Sequence, residues 1–192
     1  MENNLVTTSI KETFSEKDNN VILGDWCNPY ISQTVDSKFK FKKNKFHWDD
    51  EEKKVKDYDY LQKFYYKTLD SLVDSLNFYH STKKSKRYWH IIVGSFLTRI
   101  LPILWDRWEN IRFVFENENI NKTKIIEIDD RDLIFFDYKD LYKIGLEDRW
   151  NHYIYSQIIN FLKPKNLNII NVKKVNFKKN NYSKKNNYFN IL

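Results

Sequence analysis

The chain has 192 residues, with 41% hydrophobic and 31% charged, which describes a folded soluble protein rather than a disordered one. Its formal net charge of +7 is concentrated at one end: residues 163–192 hold eight Lys and no acid, leaving 25 basic against 26 acidic residues before them. A neutral body with a basic tail argues against a fixed cationic stripe for nucleic acid, and one cysteine, Cys27, excludes an intrachain disulfide and a multi-thiolate metal site.

The amino terminus, MENNLVTTSIKETF, lacks an apolar signal core, and a cytoplasmic address is the expectation, with a peripheral place at the inner membrane as the alternative. Residues 4–10 and 19–27 read as strands. The second holds Val21, Ile22 and Leu23 in a run ended by Gly24, the pattern of a strand buried on both faces. In an open α/β sheet ligands bind beyond the carboxyl ends of strands, so Asp25 and Trp26 are candidate site residues; the alternative is a turn cap with a packed indole. Residues 31–46 are ambiguous, with Phe39, Phe41 and Phe46 available to a third strand.

The clearest helix spans about 50–79. Asp49 followed by Glu52 gives a capping-box spacing, and Val55, Tyr58, Leu61, Tyr65, Leu69, Leu72, Leu76 and Tyr79 recur at three and four residues. His47 and Trp48 precede it. An imidazole at a helix N-terminus is biased to its neutral form and suits a general base, with Asp49 or Asp50 as orienting partner. The competing reading is an N-cap carboxylate beside a packed Trp. No set of His and acids shows metal-ligand spacing, and no metal site is expected.

A second long helix is expected at about 86–116, on the stripe Trp89, Val93, Phe96, Ile100, Ile103, Ile111 and Phe115, with a kink or restart at Pro102. Its longest apolar stretch, IIVGSFLTRILPILW, is 15 residues and contains Arg99, short of the roughly 20 residues of a membrane span. This segment also carries Arg87, Asp106 and Arg107 among Trp89, Trp105 and Trp108. Arg99 and Asp106 lie within about 20° of each other on a helical wheel. Two readings stay open: an ion-pair network tying this helix to residues 50–79, or an aromatic-rimmed cationic cleft. In such a cleft arginines would hold an anionic group and indoles a sugar ring or base.

Residues 122–130 read as a strand and 137–162 as helix, in one piece or broken at Gly145. Residues 166–177 offer one more short strand, and the last fifteen residues, without any period, are expected to be disordered. Alternating strands and helices favour a helix-rich α/β domain over 1–165, followed by a basic Lys/Asn-rich tail over 166–192.

The segments NLVTTSIKETF, VILGDWCNPY, HWDDEEKKVKDYDYLQKFYYKTL, SKRYWHIIVGSFLTRILPILWDRWENI and RWNHYIYSQIINFL together resemble the amino-terminal part of a bacterial transferase family of surface-polysaccharide and lipopolysaccharide gene clusters. The resemblance covers roughly residues 4–162. It implies a Rossmann-like amino-terminal half of a two-domain, GT-B-like enzyme similar to glycosyltransferases and glycerophosphotransferases, in which this half holds the acceptor. Matching motif positions are Asp25, Trp26, His47, Trp48, Asp49, Asp50, Arg87, Tyr88, Trp89, Asp106, Arg107, Trp108 and Glu109.

On that reading the candidate bases are His47 and Asp25, with Asp49 and Asp50 beside them. Trp26, Trp48, Arg87, Trp89, Arg99, Asp106, Arg107 and Trp108 would bind substrate. The acceptor is a carbohydrate or glycolipid, and the nucleotide-activated donor is implied for the complete enzyme rather than bound by this chain. With only Gly24, Gly94 and Gly145, none in a phosphate loop, a truncated or split gene product without activity of its own is expected. A second reading is a non-catalytic subunit docking on a separately encoded donor-binding half. A third is a nucleic-acid or membrane-surface binder using Phe177, Tyr182, Tyr188 and Phe189 among the tail lysines.

Overall fold

The computed structural model describes residues 1–28, 39–135 and 137–173. Five strands, β1 (Asn3–Val6), β2 (Asn19–Ile22), β3 (Lys40–Lys43), β4 (Lys122–Ile126) and β5 (Asn168–Val172), form one sheet in the order β3-β2-β1-β4-β5. Every pairing is parallel. This is the strand order of the first five strands of a doubly wound sheet, with the switch point between β1 and β4. Four helices accompany it: α1 (Glu51–Tyr79), α2 (Lys86–Asn117), α3 (Tyr138–Ile144) and α4 (Asp148–Leu162). The protein is a helix-rich α/β fold.

The crossover from β1 to β2 carries no α-helix, only a 3-10 turn at Lys11–Thr13. Two strand asparagines explain how so short a connection is held. Asn4 donates to the carbonyl of Thr13 at 3.0 Å and to Asn20 Oδ1 at 2.9 Å. Asn20 in turn receives the Ser15 amide and donates to the Ser15 carbonyl, both at 2.8 Å. Lys122 of β4 reaches the same loop through Asp18 at 2.5 Å. Polar strand residues thus replace a helix's apolar face: both side-chain nitrogens and the Asn20 oxygen find partners, while Asn4 Oδ1 has none. Ile111 and Val114 of α2 and Tyr155 and Ile159 of α4 join Leu5, Val6, Val21 and Leu23 in the sheet core.

The link from β3 back to β4 is the α1–α2 hairpin, whose own core (Leu69, Leu97, Ile100, Leu101) continues into Leu133, Leu141 and Trp150. Helix α2 runs unbroken through Pro102, so of the kink or restart expected there the restart does not occur. The cap of α1 is Asp50, which accepts from the Lys53 amide at 3.1 Å; Asp49 instead accepts from the Phe46 amide at 3.2 Å. The apolar stripe read for α1 holds from Leu61 to Leu76 but not at its ends: Val55, Tyr58 and Tyr79 are exposed. Lys53 and Asp57 take the inward positions near the start, because buried Glu109 on α2 needs a cation there. Gly145 does divide the third helical segment, ending α3. The strand expected within 166–177 is β5, paired with β4; the tail residues expected to be disordered lie outside the described residues.

Candidate functional site at the carboxyl edge of the sheet

Strand ends set the site. Straight after β1 come Thr7, Thr8 and Ser9; after β2, Gly24, Asp25 and Trp26; after β3, Asn44 to His47. Asp25 is exposed and pairs with Lys43 across the β2–β3 ends at 2.6 Å. The Trp26 indole donates to the Thr7 carbonyl at 3.3 Å and lies over Gly24, where a Cβ would stand 2.2 Å from the ring. Any side chain at this position would have to push the Trp26 ring aside. Trp26 still shows 41% of its surface, a flat face over the ends of β1 and β2.

The first turns of α4 reach into the switch point. Asp148 accepts a hydrogen bond from the Ser9 hydroxyl. Burial pushes the Asp148 carboxyl above its ordinary value, and the Ser9 hydroxyl and amide offset this only in part. One turn on, His152 Nε2 accepts the Ile126 amide of β4 at 3.0 Å, so Nδ1 carries the proton and donates to Thr7 Oγ1 at 3.3 Å. Burial lowers the His152 pKa to about 4, which keeps the ring neutral. His152 therefore fastens β1 to β4. Cys27, also at the β2 exit, is pushed up to about 12 by burial and remains a thiol.

His47 is closed off from solvent. Its Nε2 donates to Asp106 Oδ1 at 3.0 Å, and the other Asp106 oxygen pairs with Arg107. Asn110 donates to Asp106 at 3.1 Å, and Arg107 Nε donates to Asn151 of α4 at 2.8 Å. A polar belt thus runs from the end of β3, through α2, to α4. Beside it, Lys53 Nζ stands 2.6 Å from both Asp57 and Glu109, and Arg112 grips Glu109 with two nitrogens at 2.9 and 2.8 Å. Burial pushes the Asp57 and Glu109 carboxyls up, but these cationic partners outweigh it and hold both below the usual carboxylate range. Three anions face three cations. His47, Asp57 and Glu109 offer ligand atoms within 4.8 Å of one another; the Lys53 ammonium pairs with the two carboxylates, and His47 Nδ1 is buried without a partner.

The arginine question separates accordingly. Buried Asp106 and half-buried Arg107 pair with each other and tie α2 to its neighbours, while Arg87 and Arg99 are exposed. At 1.5 Å per residue Arg87 and Arg107 stand about 30 Å apart along α2, too far to clamp one ligand. Trp89 is buried against Asn77, and Trp108 packs on Phe161 of α4 with ring centres 5.7 Å apart. The cleft read from the helical wheel is therefore not formed by these residues together. Trp48, held by Asp57 at 2.9 Å, instead walls a groove of about 490 Å³ between α1 and α2, with Tyr58, Tyr65, Tyr66, His90 and Pro102. Asp49 and Asp50 remain at the surface as caps.

The sequence model of the LIC12162 family transferase matches residues 3–192. The chain belongs to this transferase family. No curated protein and no solved structure matches it.

Ser9, Asp148 and Asn151 stand at this edge without having been singled out in the sequence, Asn151 bonded to Arg107 and to the carbonyls of Gly145 and Glu147. Ser9 follows β1 as Asp25 follows β2, and the strand-exit argument that singled out Asp25 applies to it equally. Asp148 and Asn151 sit in the first turn and a half of α4, where acids are ordinary helix-start residues; only folding brings Asp148 to Ser9, 139 positions away in the chain.

Proposed function

We propose that this domain is the acceptor-side half of a two-domain, GT-B-like transferase. It moves a glycosyl or related group from a nucleotide-activated donor to a carbohydrate or glycolipid acceptor in bacterial surface-polysaccharide synthesis. The observation that carries the reading is Asp148: a half-buried carboxylate, raised by burial, beside a serine hydroxyl at the switch point of a parallel sheet. A carboxylate of raised pKa is the better proton acceptor, and strand-end crevices at switch points are where such folds bind ligands. Asp148 would take the proton of an acceptor hydroxyl that Ser9 orients, Asp25 would hold a second hydroxyl, and the open Trp26 face would stack on the sugar ring. His47 and Asp106 would fix the scaffold beneath.

Electrostatics favours acceptor over donor. Helices α1 and α4 begin with Glu51, Glu52 and Asp148, which repel a pyrophosphate, and β1 is followed by a loop rather than a helix N-terminus. Titrating the chain with acceptor oligosaccharides and with nucleotide sugars, followed by tryptophan emission, tests this. Saturable binding of the oligosaccharides that Trp26→Ala abolishes is expected, with no response to nucleotide sugars alone. Turnover of a nucleotide sugar by the chain with no acceptor response would refute the assignment.

A further inference from the structure

The far end of the α1–α2 hairpin has no partner among the described residues, and its chemistry is uniform. Phe78 (89% exposed) and Tyr79 (81%) close α1, and Tyr88, Ile91 (74%) and Ile92 stand exposed on the first two turns of α2. Between them lie Lys83, Lys84, Lys86 and Arg87; Lys86 pairs with Asp70 of α1 at 2.5 Å, and no Asp or Glu occurs from residue 75 to residue 105. The connection is ordered. Asn77 Oδ1 accepts from the Lys84 amide at 2.8 Å, from Thr82 Oγ1 at 3.0 Å and from the Trp89 indole at 3.0 Å, while its Nδ2 donates to the Lys84 carbonyl at 2.9 Å. Large apolar side chains are therefore held outward together with a ring of cations.

We propose that this hairpin tip is a docking surface for an anionic lipid bilayer. Basic residues beside exposed aromatic and aliphatic ones are the composition that binds such a surface, by charge first and shallow apolar burial second. The exposed apolar residues lie within six positions of the turn, about 9 Å along the helix axes, which matches the roughly 5–10 Å depth an interfacial element reaches.

Helix α2 is also long and apolar enough to cross a membrane, more than its 15-residue apolar stretch indicated, and only 22% of its most apolar 18-residue window is buried. Crossing would carry the exposed Lys63, Lys67, Asp70 and Asp74 of its neighbour α1 into the lipid as well. Such charges are strongly disfavoured there, so contact is confined to the tip. Two copies of the chain meeting tip to tip would bring their lysines together, which disfavours self-association as the occupant.

The test is flotation of the full chain with vesicles of phosphatidylcholine alone and with about one third phosphatidylglycerol, at low and high salt. Binding to the anionic vesicles only, weakened by salt, is expected. Lys83→Gln with Lys84→Gln should lower affinity roughly 30-fold, from the surface attraction per basic residue. Phe78→Ser with Ile91→Ser should lower it without changing the salt dependence. Phe78→Cys carrying a polarity-sensitive dye should shift to the blue on vesicles; Cys27 is buried and does not compete for label. Neutralising Lys178, Lys179, Lys184 and Lys185 of the tail should leave most binding intact. The proposal is overturned if the chain ignores anionic vesicles, if the tail variant alone abolishes binding, or if the tip instead retains nucleic acid or a second copy.

Discussion

Replacing Lys53 by Met removes the one cation shared by Asp57 and Glu109 while keeping helix propensity and most of the side chain's apolar stem. Removing one member of a buried ion pair costs about 3–5 kcal/mol because the partner charge is left uncompensated. Lys53 is 21% exposed, which places the expected loss at the low end, about 3 kcal/mol at pH 7. Glu109 keeps the Arg112 cation, whereas Asp57 keeps only the neutral indoles of Trp48 and Trp105 among the described residues, so Asp57 is the group that takes up a proton in the variant.

The sign then follows. In the wild type Asp57 and Glu109 are lowered, so their contribution is full above the unfolded carboxylate range near pH 4 and is lost as pH falls through it. In the variant the Asp57 pKa rises above its unfolded value, the penalty is largest at neutral pH, and protonation relieves it as pH falls. Urea unfolding followed by circular dichroism at pH 7 and pH 5 should show the difference between the two proteins narrowing by about 1 kcal/mol or more. A difference below about 1 kcal/mol at pH 7, or one that does not change with pH, would refute the view of Lys53 as the keystone of a dry network.

His152 gives the opposite test within the native chain. Its folded pKa of about 4 lies below the unfolded value of about 6.5, so its stabilising contribution is complete above pH 6.5 and is lost as pH falls toward 4. Between pH 7.5 and 5.5 this amounts to about 1.3 kcal/mol, a slope that His152→Gln should remove from urea midpoints. Asn77→Ala deletes four hydrogen bonds at the hairpin turn and should cost about 1–2 kcal/mol, with faster amide exchange at Lys84 as its local sign. Gly94→Val places carbon where a Cβ would already stand 2.7 Å from His90 and 2.9 Å from the Tyr65 hydroxyl, wedging α1 from α2. A lower melting temperature, equivalent to about 1–3 kcal/mol, is expected in a thermal scan.

Local signals were legible where the chain itself supplies the constraint. The Val21–Leu23 run with Gly24 behind it marked a buried strand and its exit, and the helical stripe through Trp89, Ile100 and Ile111 marked α2 within a residue at each end. The ion-pair and cleft readings of Arg87, Arg99 and Arg107 stayed level in the sequence, because which partner helix faces each arginine along the length of α2 is set by the fold. Lys53 and Asp57 were not singled out, since nothing near them in sequence shows that Glu109 lies opposite. Asp148 and Ser9 meet only through the sheet's switch point, which is set by the order of strands rather than by any local pattern. The asparagines of β1 and β2 weaken an apolar strand signal, yet they are what holds the helix-free crossover.

The first strand of the chain is also the middle strand of the sheet, with β2 on one side and β4 on the other. Its second neighbour begins at Lys122, so during synthesis Asn3–Val6 has only half its hydrogen-bonding partners until well over a hundred further residues have left the ribosome. The helical hairpin, built from near-neighbour contacts, can form in that interval, and closure of β1 against β4 is the long-range step that sets the pace of folding.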